Sequence, residues 1–509
     1  MSAIDDTPAL EFLQKLAVHD FSSHDPDARF NGFFPSVSSK ANLFAAPVES
    51  WFNGLALNDT TTVMCQNGTV FTFHNTALVR ANLTNITSGS DLYRQFGLTG
   101  GQGTQPHSLW IYAASERGYA VDWTITDGFP KPINTTLGGD FAGFNIPSNE
   151  FNDTAILAVN SFSGPTFDIN NISAVLDTYG ESSRVTVDFI RAAKAAGRTR
   201  LILDLQGNSG GSIANLAALY FSLFPGSTLP VQFQARAHPQ LPWLLAQRNA
   251  SNFTLPWVFQ IYRRLDNTPF PSASSFIGPV ITPFGNTTTP ATWDENYVLP
   301  AHLNFTLPWN SPPFHPSNIT ILTDGRCGSA CAMVVTMLTH AHGVRTVAIG
   351  GRPLLTPMQA IGQTKGGPVV NFKAFPYNET LTSAPPTIEL ITSEPGPIRL
   401  TSPGTSQQGI SKWREGIRFN LANAAPLGDK EDAVPLQFRY EAANCRIFFT
   451  WEMARNITAI WRKVTEVAWH GGTCVEGSTT EEGGKMGRIP EYQEGVEDRY
   501  KLGDGPGAL

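Results

Sequence analysis

Two short stretches hold the residue types that acyl-transfer chemistry needs. In "TILTDGRCGSACAMVVTML", residues 320–338, an apolar strand-like run ends at Asp324 and a turn of small residues follows. Ser329 then opens a helix whose buried face is Met333, Val334, Met337 and Leu338. A serine there lies in the positive field of the helix N-terminus, and its neighbours Gly328 and Ala330 leave the hydroxyl accessible. Two roles fit, an ordinary helix N-cap or a nucleophile. In "LILDLQGNSGGS", residues 201–212, a buried strand runs into paired glycines ahead of another helix. Such a turn can aim bare backbone N–H groups at a ligand, or it can simply join a strand to a helix. It lacks the GK[ST] ending of a phosphate loop and the GxGxxG spacing of a dinucleotide loop.

The elements that must position these turns can be read from hydrophobic periodicity. From residue 154, "TAILAVNSF" and "TRLILDLQ" read as buried strands separated by a helix over 183–196 that stops at Gly197. "SIANLAALYFSLF" reads as a helix, "NITILTD" and "VRTVAIG" as further strands, and residues 445–469 as a closing strand and helix. This alternation predicts an α/β layer with a buried, largely parallel sheet. Residues 1–150 read as a mostly β segment with long turns, in which "ALEFLQKLA" (9–17) is an amphipathic helix. Residues 225–317, rich in Pro and Trp, read as an aromatic surface insertion in a core running from 151 to 478. Residues 380–410 read as loop and 479–509 as a disordered tail.

Composition narrows the function classes. The 509 residues are 15% charged with a net charge of -7, which offers no basic footprint for nucleic acid. No apolar run is long enough for a membrane span. Fourteen Asn-x-Ser/Thr sites, from Asn58 to Asn456, compare with roughly five expected by chance, and they predict a glycoprotein of the secretory pathway or extracellular space. The N-terminus nevertheless has no signal-peptide pattern. Among the five cysteines, Cys445 and Cys474 flank a helix and are candidates to pair, Cys327 and Cys331 bracket Ser329, and Cys65 stands alone. No CxxC or HExxH motif supports a metal site.

Taken in tandem, the glycine turn and the serine turn resemble those of the tail-specific (C-terminal-processing) serine peptidases. "LDLQGNSGG" is similar to that family's LDLRxNxGG strand, and Ser329 falls where its nucleophile opens a helix. The stretches "DPDARFNGFF", "MQAIGQTKGG" and "VPLQFRYEAANCR" resemble a fungal secreted branch related to chlamydial protease-like activity factor. The resemblance spans about residues 20–478 and implies a ββα core like those of crotonase and the Clp protease, with a PDZ-like remnant at the N-terminal end. It implies Ser329 as nucleophile, an oxyanion hole from the N–H groups of Ala330 and of Gly210 or Gly211, and a peptide or protein substrate. It implies no metal and no organic cofactor, and does not fix an oligomeric state. Relatives in the fungal branch also suggest a role in trimming a ribosomally made precursor of a cyclic peptide.

What the sequence does not supply is a base. Bacterial members use a lysine one helix and one strand after the serine, where "VAIGGRPLLTPMQ" has none, and Lys365 comes later. The other branch uses a histidine in an N-terminal HDGHF motif, which is absent here. His24 reads as an exposed loop residue, and His340 and His342 lie about 17 Å along the helix from Ser329. Glu441 is the first choice for an orienting acid and Glu389 the second. The missing histidine motif and signal peptide together lead to the expectation of an upstream segment not contained in this sequence. Three functions are then in play: a serine peptidase, a catalytically silent peptide-binding relative, and an enzyme of crotonase shape. Ser329 argues against the last.

Overall fold

A computed structural model describes residues 128–162, 172–237, 262–298, 306–371 and 418–479, apart from a few positions within them. It also describes 3–4, 7–17, 23–32, 60–74, 86–92, 387–389, 399–401 and residue 486. The expected tail from 479 onward lies almost entirely outside these residues.

The core is a seven-stranded sheet built in chain order: β1 (Asn134–Thr135), β2 (Phe141–Asn145), β3 (Thr154–Val159), β4 (Arg200–Asp204), β5 (Ile319–Thr323), β6 (Arg345–Ile349) and β7 (Cys445–Ile447). The first three strands are antiparallel, and β3 through β7 run parallel. Parallel strands need covered faces, which is why β3, β4 and β5 are near-continuous apolar runs. On one face, Leu157, Leu201, Leu203 and Ile321 pack with α1 (Ile172–Ala195), α2 (Ile213–Leu223) and α3 (Ala330–His342). On the other, Ile156, Ile202, Leu322 and Val347 pack against α4 (Ile457–Trp469), whose Trp461 is fully buried. Helix α1 begins eleven residues earlier than periodicity predicted, at Ile172, because Gly180 interrupts the pattern without ending the helix.

The 225–317 segment is not wholly a surface appendage. Its strands Val231–Ala235, Tyr262–Arg264 and Ala291–Trp293 form an antiparallel sheet with Ala422–Pro426. Val231, Phe233, Tyr262 and Trp293 are buried in the same cluster as α2 and α3, so burial of aromatic area rather than glycan display sets this part of the segment. Residues 387–389 and 399–401, read as loop, pair as two short antiparallel strands with Glu389 opposite Arg399.

The N-terminal part forms a four-stranded sheet with the predicted helix Ala9–Ala17, whose Leu13 packs on Val63. A second segment, 23–32, is docked on the core. Asp25 caps the short helix Pro26–Asn31. Asn31 Nδ2 donates to the carbonyls of Asp324 (2.7 Å) and Ile349 (2.9 Å). Asp27 pairs with Arg352 (3.1 Å) and with the fully buried Arg446 (3.4 Å). Every charge at this seam has a partner, as burial requires.

Candidate active site

Strands β4 and β5 lie side by side with Leu322 opposite Asp204, so their two turns emerge together. The Asp324 carboxylate stitches them, accepting the N–H groups of Gly207 and Arg326 at 3.0 Å each. Fully buried Asn208 adds a third strand end. Its Nδ2 donates to Val159 O (2.8 Å), its Oδ1 accepts Gly210 N–H (2.8 Å), and its carbonyl accepts Gly328 N–H (3.3 Å). The turn after β3 closes the set, with Phe162 N–H donating to Gly210 O (2.9 Å) and Ser212 N–H to Phe162 O (3.0 Å).

Gly210 has φ +106°, and a Cβ there would lie 2.7 Å from Gly328 O and Ser329 Cβ and 2.8 Å from Ala330 N. Only glycine permits this approach of backbone to the serine turn. Ser329 itself has φ 53° and ψ -120°, a conformation that costs a non-glycine residue on the order of 1–3 kcal/mol. Its side chain makes no cap hydrogen bond, so the hydroxyl is not the ordinary N-cap that its position allowed. Its N–H donates to Thr364 O (2.6 Å) and its carbonyl accepts Met333 N–H (3.0 Å). Cys327 and Cys331, on either side of it, form a disulfide.

Ala330 N–H, the first of α3, and Gly211 N–H donate to no acceptor among the described residues, whereas Gly210 N–H is taken by Asn208. The structure puts Ser329, Gly210, Gly211 and Ala330 in one turn cluster.

Lys365 follows the carbonyl that holds Ser329. Its buried ammonium donates to Glu441 Oε2 (3.1 Å), Gln359 Oε1 (3.3 Å) and the Arg439 carbonyl. An ammonium has three protons to give, and all three are committed. Glu441 also meets His340 Nε2 through Oε1 (2.8 Å). Burial alone would raise the Glu441 pKa. The Lys365 charge, followed by the hydrogen bond and charge of His340, outweighs it and holds the group at about 2. Glu441 therefore sits as a carboxylate between a lysine and the histidine at the far end of α3, linked to Ser329 through residues 364–365. Glu389 stands in a two-stranded ribbon, opposite Arg399.

Among the described residues, no histidine or lysine side chain is hydrogen-bonded to Ser329. His342 pairs with Tyr220 (2.9 Å) and stacks on Phe224, and His470 contacts Arg200. His24 N–H donates to Gly362 O (2.7 Å), and Gly362 N–H in turn donates to Gly325 O (2.8 Å) at the base of the serine turn. Burial, then the charges of Arg29 and Lys365, lower the His24 pKa and favour its neutral form. His107, His238 and His302 lie outside the described residues.

Sequence reasoning missed Asp324, Asn208, Gln359 and the Cys327–Cys331 bond. The signal was partly there. "DPDARFN" and "MQAIGQTK", noted only as resemblances, are the segments that pack on the serine turn: Asp25 accepts Gln359 Nε2 (2.9 Å), and Gln363 N–H donates to Cys327 O (3.2 Å).

The arrangement is that of a helix-opening serine beside a glycine turn with unclaimed backbone donors, on a parallel-sheet core. Residues 1–84 match the family described as the CPAF-like PDZ domain. The chain is 27% identical over 485 residues to the peptidase S41 family protein ustP of Aspergillus flavus, covering 89% of this chain and 98% of that one. It is 26% identical over 521 residues to the peptidase S41 family protein phomP1 of Diaporthe leptostromiformis, covering 90% and 74%. Mature CPAF, a solved structure, is 13% identical with a TM-score of 0.43, covering 93% of this chain and 77% of that one. The chain is thus similar over about nine tenths of its length to fungal proteins named as peptidase S41 family members, and over residues 1–84 to the CPAF-like PDZ domain.

Proposed function

We propose that this chain is a serine-type peptidase that hydrolyses peptide bonds through an acyl-Ser329 intermediate. Ser329 Oγ attacks the substrate carbonyl carbon as its proton passes to a base. The oxyanion is held by Ala330 N–H and a glycine N–H, with Gly211 the free donor. The tetrahedral intermediate then expels the amine, and water releases the acyl group. Two aimed donors are worth several kcal/mol at this step. Lys365 is not the base, since its protons are committed, and the Glu441 oxygens are taken by Lys365 and His340; a neutral imidazole suits the role of base. The observation that carries the reading is the φ of 53° at a helix-opening serine whose hydroxyl does not cap its helix.

The relatives' names support a peptide or protein substrate, and a ribosomally made precursor peptide is the specific one we favour. We also assign the chain to the secretory route. Asn67, Asn152 and Asn286 are exposed acceptors, while Asn134 Nδ2 is occupied by Val185 O (2.8 Å). The test is a fluorophosphonate probe on chain from a secretory host, mapped by mass spectrometry. Adduct on Ser329, lost in Ser329→Ala, supports the peptidase; an unlabelled but folded chain refutes it. That second result would fit a peptide-binding protein without catalysis, a reading favoured by the absence, among the described residues, of a histidine bonded to Ser329.

A further inference from the structure

The peptidase reading needs Ser329 to keep its hydroxyl away from its own helix. Helix-opening preference by itself does not enforce that. A serine at this position would ordinarily take an extended backbone and cap the first-turn N–H groups, which costs less strain and satisfies a donor. Ser212, which opens α2, does so: its φ is -73° and its Oγ accepts Ala214 N–H at 3.1 Å. The serine at 329 differs in being enclosed. Cys327 and Cys331 are both fully buried and are joined across a separation of four residues, so Gly328, Ser329 and Ala330 form a closed loop. The ring is anchored on both sides, by Gly328 N–H on Asn208 O (3.3 Å) and by Gln363 N–H on Cys327 O (3.2 Å). Cys331 N–H donates back to Gly328 O (3.0 Å), inside the ring.

We infer that the Cys327–Cys331 disulfide is a positioning element for the nucleophile: it prevents Ser329 from relaxing into an ordinary N-cap and so keeps its hydroxyl, and the Ala330 N–H beside it, facing substrate. This rests on the peptidase reading and deepens it. A corollary is that the reactive form is made only where two cysteine thiols can pass two electrons to a disulfide oxidant, losing two protons. The other disulfide, Cys445–Cys474, joins β7 to the segment after α4 and lies in the opposite core cluster. It serves as the control for a bond that merely stabilises.

The test compares Cys327→Ala/Cys331→Ala with Cys445→Ala/Cys474→Ala, each below its own melting temperature. The expected result is a fluorophosphonate labelling rate at Ser329 at least tenfold lower in the first and within twofold of the parent in the second. A crystal structure of the first variant is expected to show Ser329 at negative φ with its hydroxyl on a first-turn N–H. Unchanged labelling, an equal fall in both variants, or φ still near +50° without the bond would each overturn the inference. Should the parent itself not label, the peptidase reading fails, and the Ser329 conformation in the variant alone decides whether the bond positions it. If the double variant does not fold, native chain is partly reduced with dithiothreitol, whose two thiols close to a cyclic disulfide. The reduced pair is located by alkylation. Loss of labelling that tracks reduction of Cys327–Cys331 supports the inference, and labelling that persists in that fraction overturns it.

Discussion

Helices α2 and α3 start alike and behave differently. Each follows a buried parallel strand ending in or beside an aspartate, each is entered through glycine, and each opens at a serine. Ser212 sits in extended backbone and caps α2, whereas Ser329 sits at φ 53° and caps nothing. Intrinsic preference is the same at both sites, so the difference comes from what the rest of the chain brings to the second turn. Both serine N–H groups go to a distant carbonyl, Phe162 O for Ser212 and Thr364 O for Ser329, but at Ser329 Gly210 also approaches closely and a disulfide closes the turn. Strain at one of two otherwise matching turns is what sets Ser329 apart from the helix-capping Ser212.

The comparison can be broken most directly by alanine. Ser329→Ala is expected to lower fluorophosphonate labelling by at least ~10³-fold, in the range seen when a nucleophile is removed. Ser212→Ala should leave labelling within about twofold. If both serines label, or neither substitution matters, the two turns are not functionally distinct.

Lys365→Met comes next. It removes the cation that compensates Glu441 and disturbs the segment whose carbonyl accepts the Ser329 N–H, the role Phe162 O plays for Ser212. A loss of about 3 kcal/mol in urea unfolding is expected, because a buried carboxylate loses a partner. Retention of full stability would show that His340 alone suffices.

Acid should expose the same pair. The Glu441 pKa is depressed to about 2, so its contribution is complete above the ordinary carboxylate range near 4.5 and is lost as pH falls from there toward 2. The contribution is up to about 3 kcal/mol. Stability measured from pH 5 to 2 should fall more steeply in the parent than in Glu441→Gln. Parallel curves would remove the carboxylate from the account.

Gly210→Ala sharpens the comparison by steric means. The added methyl would meet backbone atoms of Gly328 and Ala330 at under 3 Å, and φ is +106°. A cost of about 2–3 kcal/mol with loss of labelling is expected. Gly207→Ala, at φ +71° with nothing within 4 Å, should cost about 1 kcal/mol and spare labelling. The smallest effect belongs to Ser212→Ala itself, about 1 kcal/mol for a lost cap, read from chemical unfolding.

Much of this protein was legible before its structure. Local and period-dependent features carried through: the strands at 154–159, 200–204, 319–323 and 345–349, the helix starts at Ser212 and Ser329, the amphipathic helix 9–17, and the Cys445–Cys474 pair. These depend on residues close in sequence or on a burial pattern that repeats every two or every 3.6 residues. The grouping of Ser329 with Gly210, Gly211 and Ala330 came from the family resemblance of the two turns rather than from periodicity, and the parallel β4–β5 pairing is what places those turns at one edge.

Tertiary structure alone decided the rest. That the Lys365 side chain is turned to three acceptors, at positions 359, 439 and 441, is visible only in the folded chain. That "DPDARFN" serves the core follows from Asp27 meeting Arg446, 419 residues away. The unusual backbone of Ser329 lies where Gly210, the Thr364 carbonyl and the Cys327–Cys331 bond meet, a convergence no local pattern shows. Sequence determined which residues could reach the site. Packing determined which of them were already occupied, since hydrogen-bond partners and strain are settled only when distant segments close on one another.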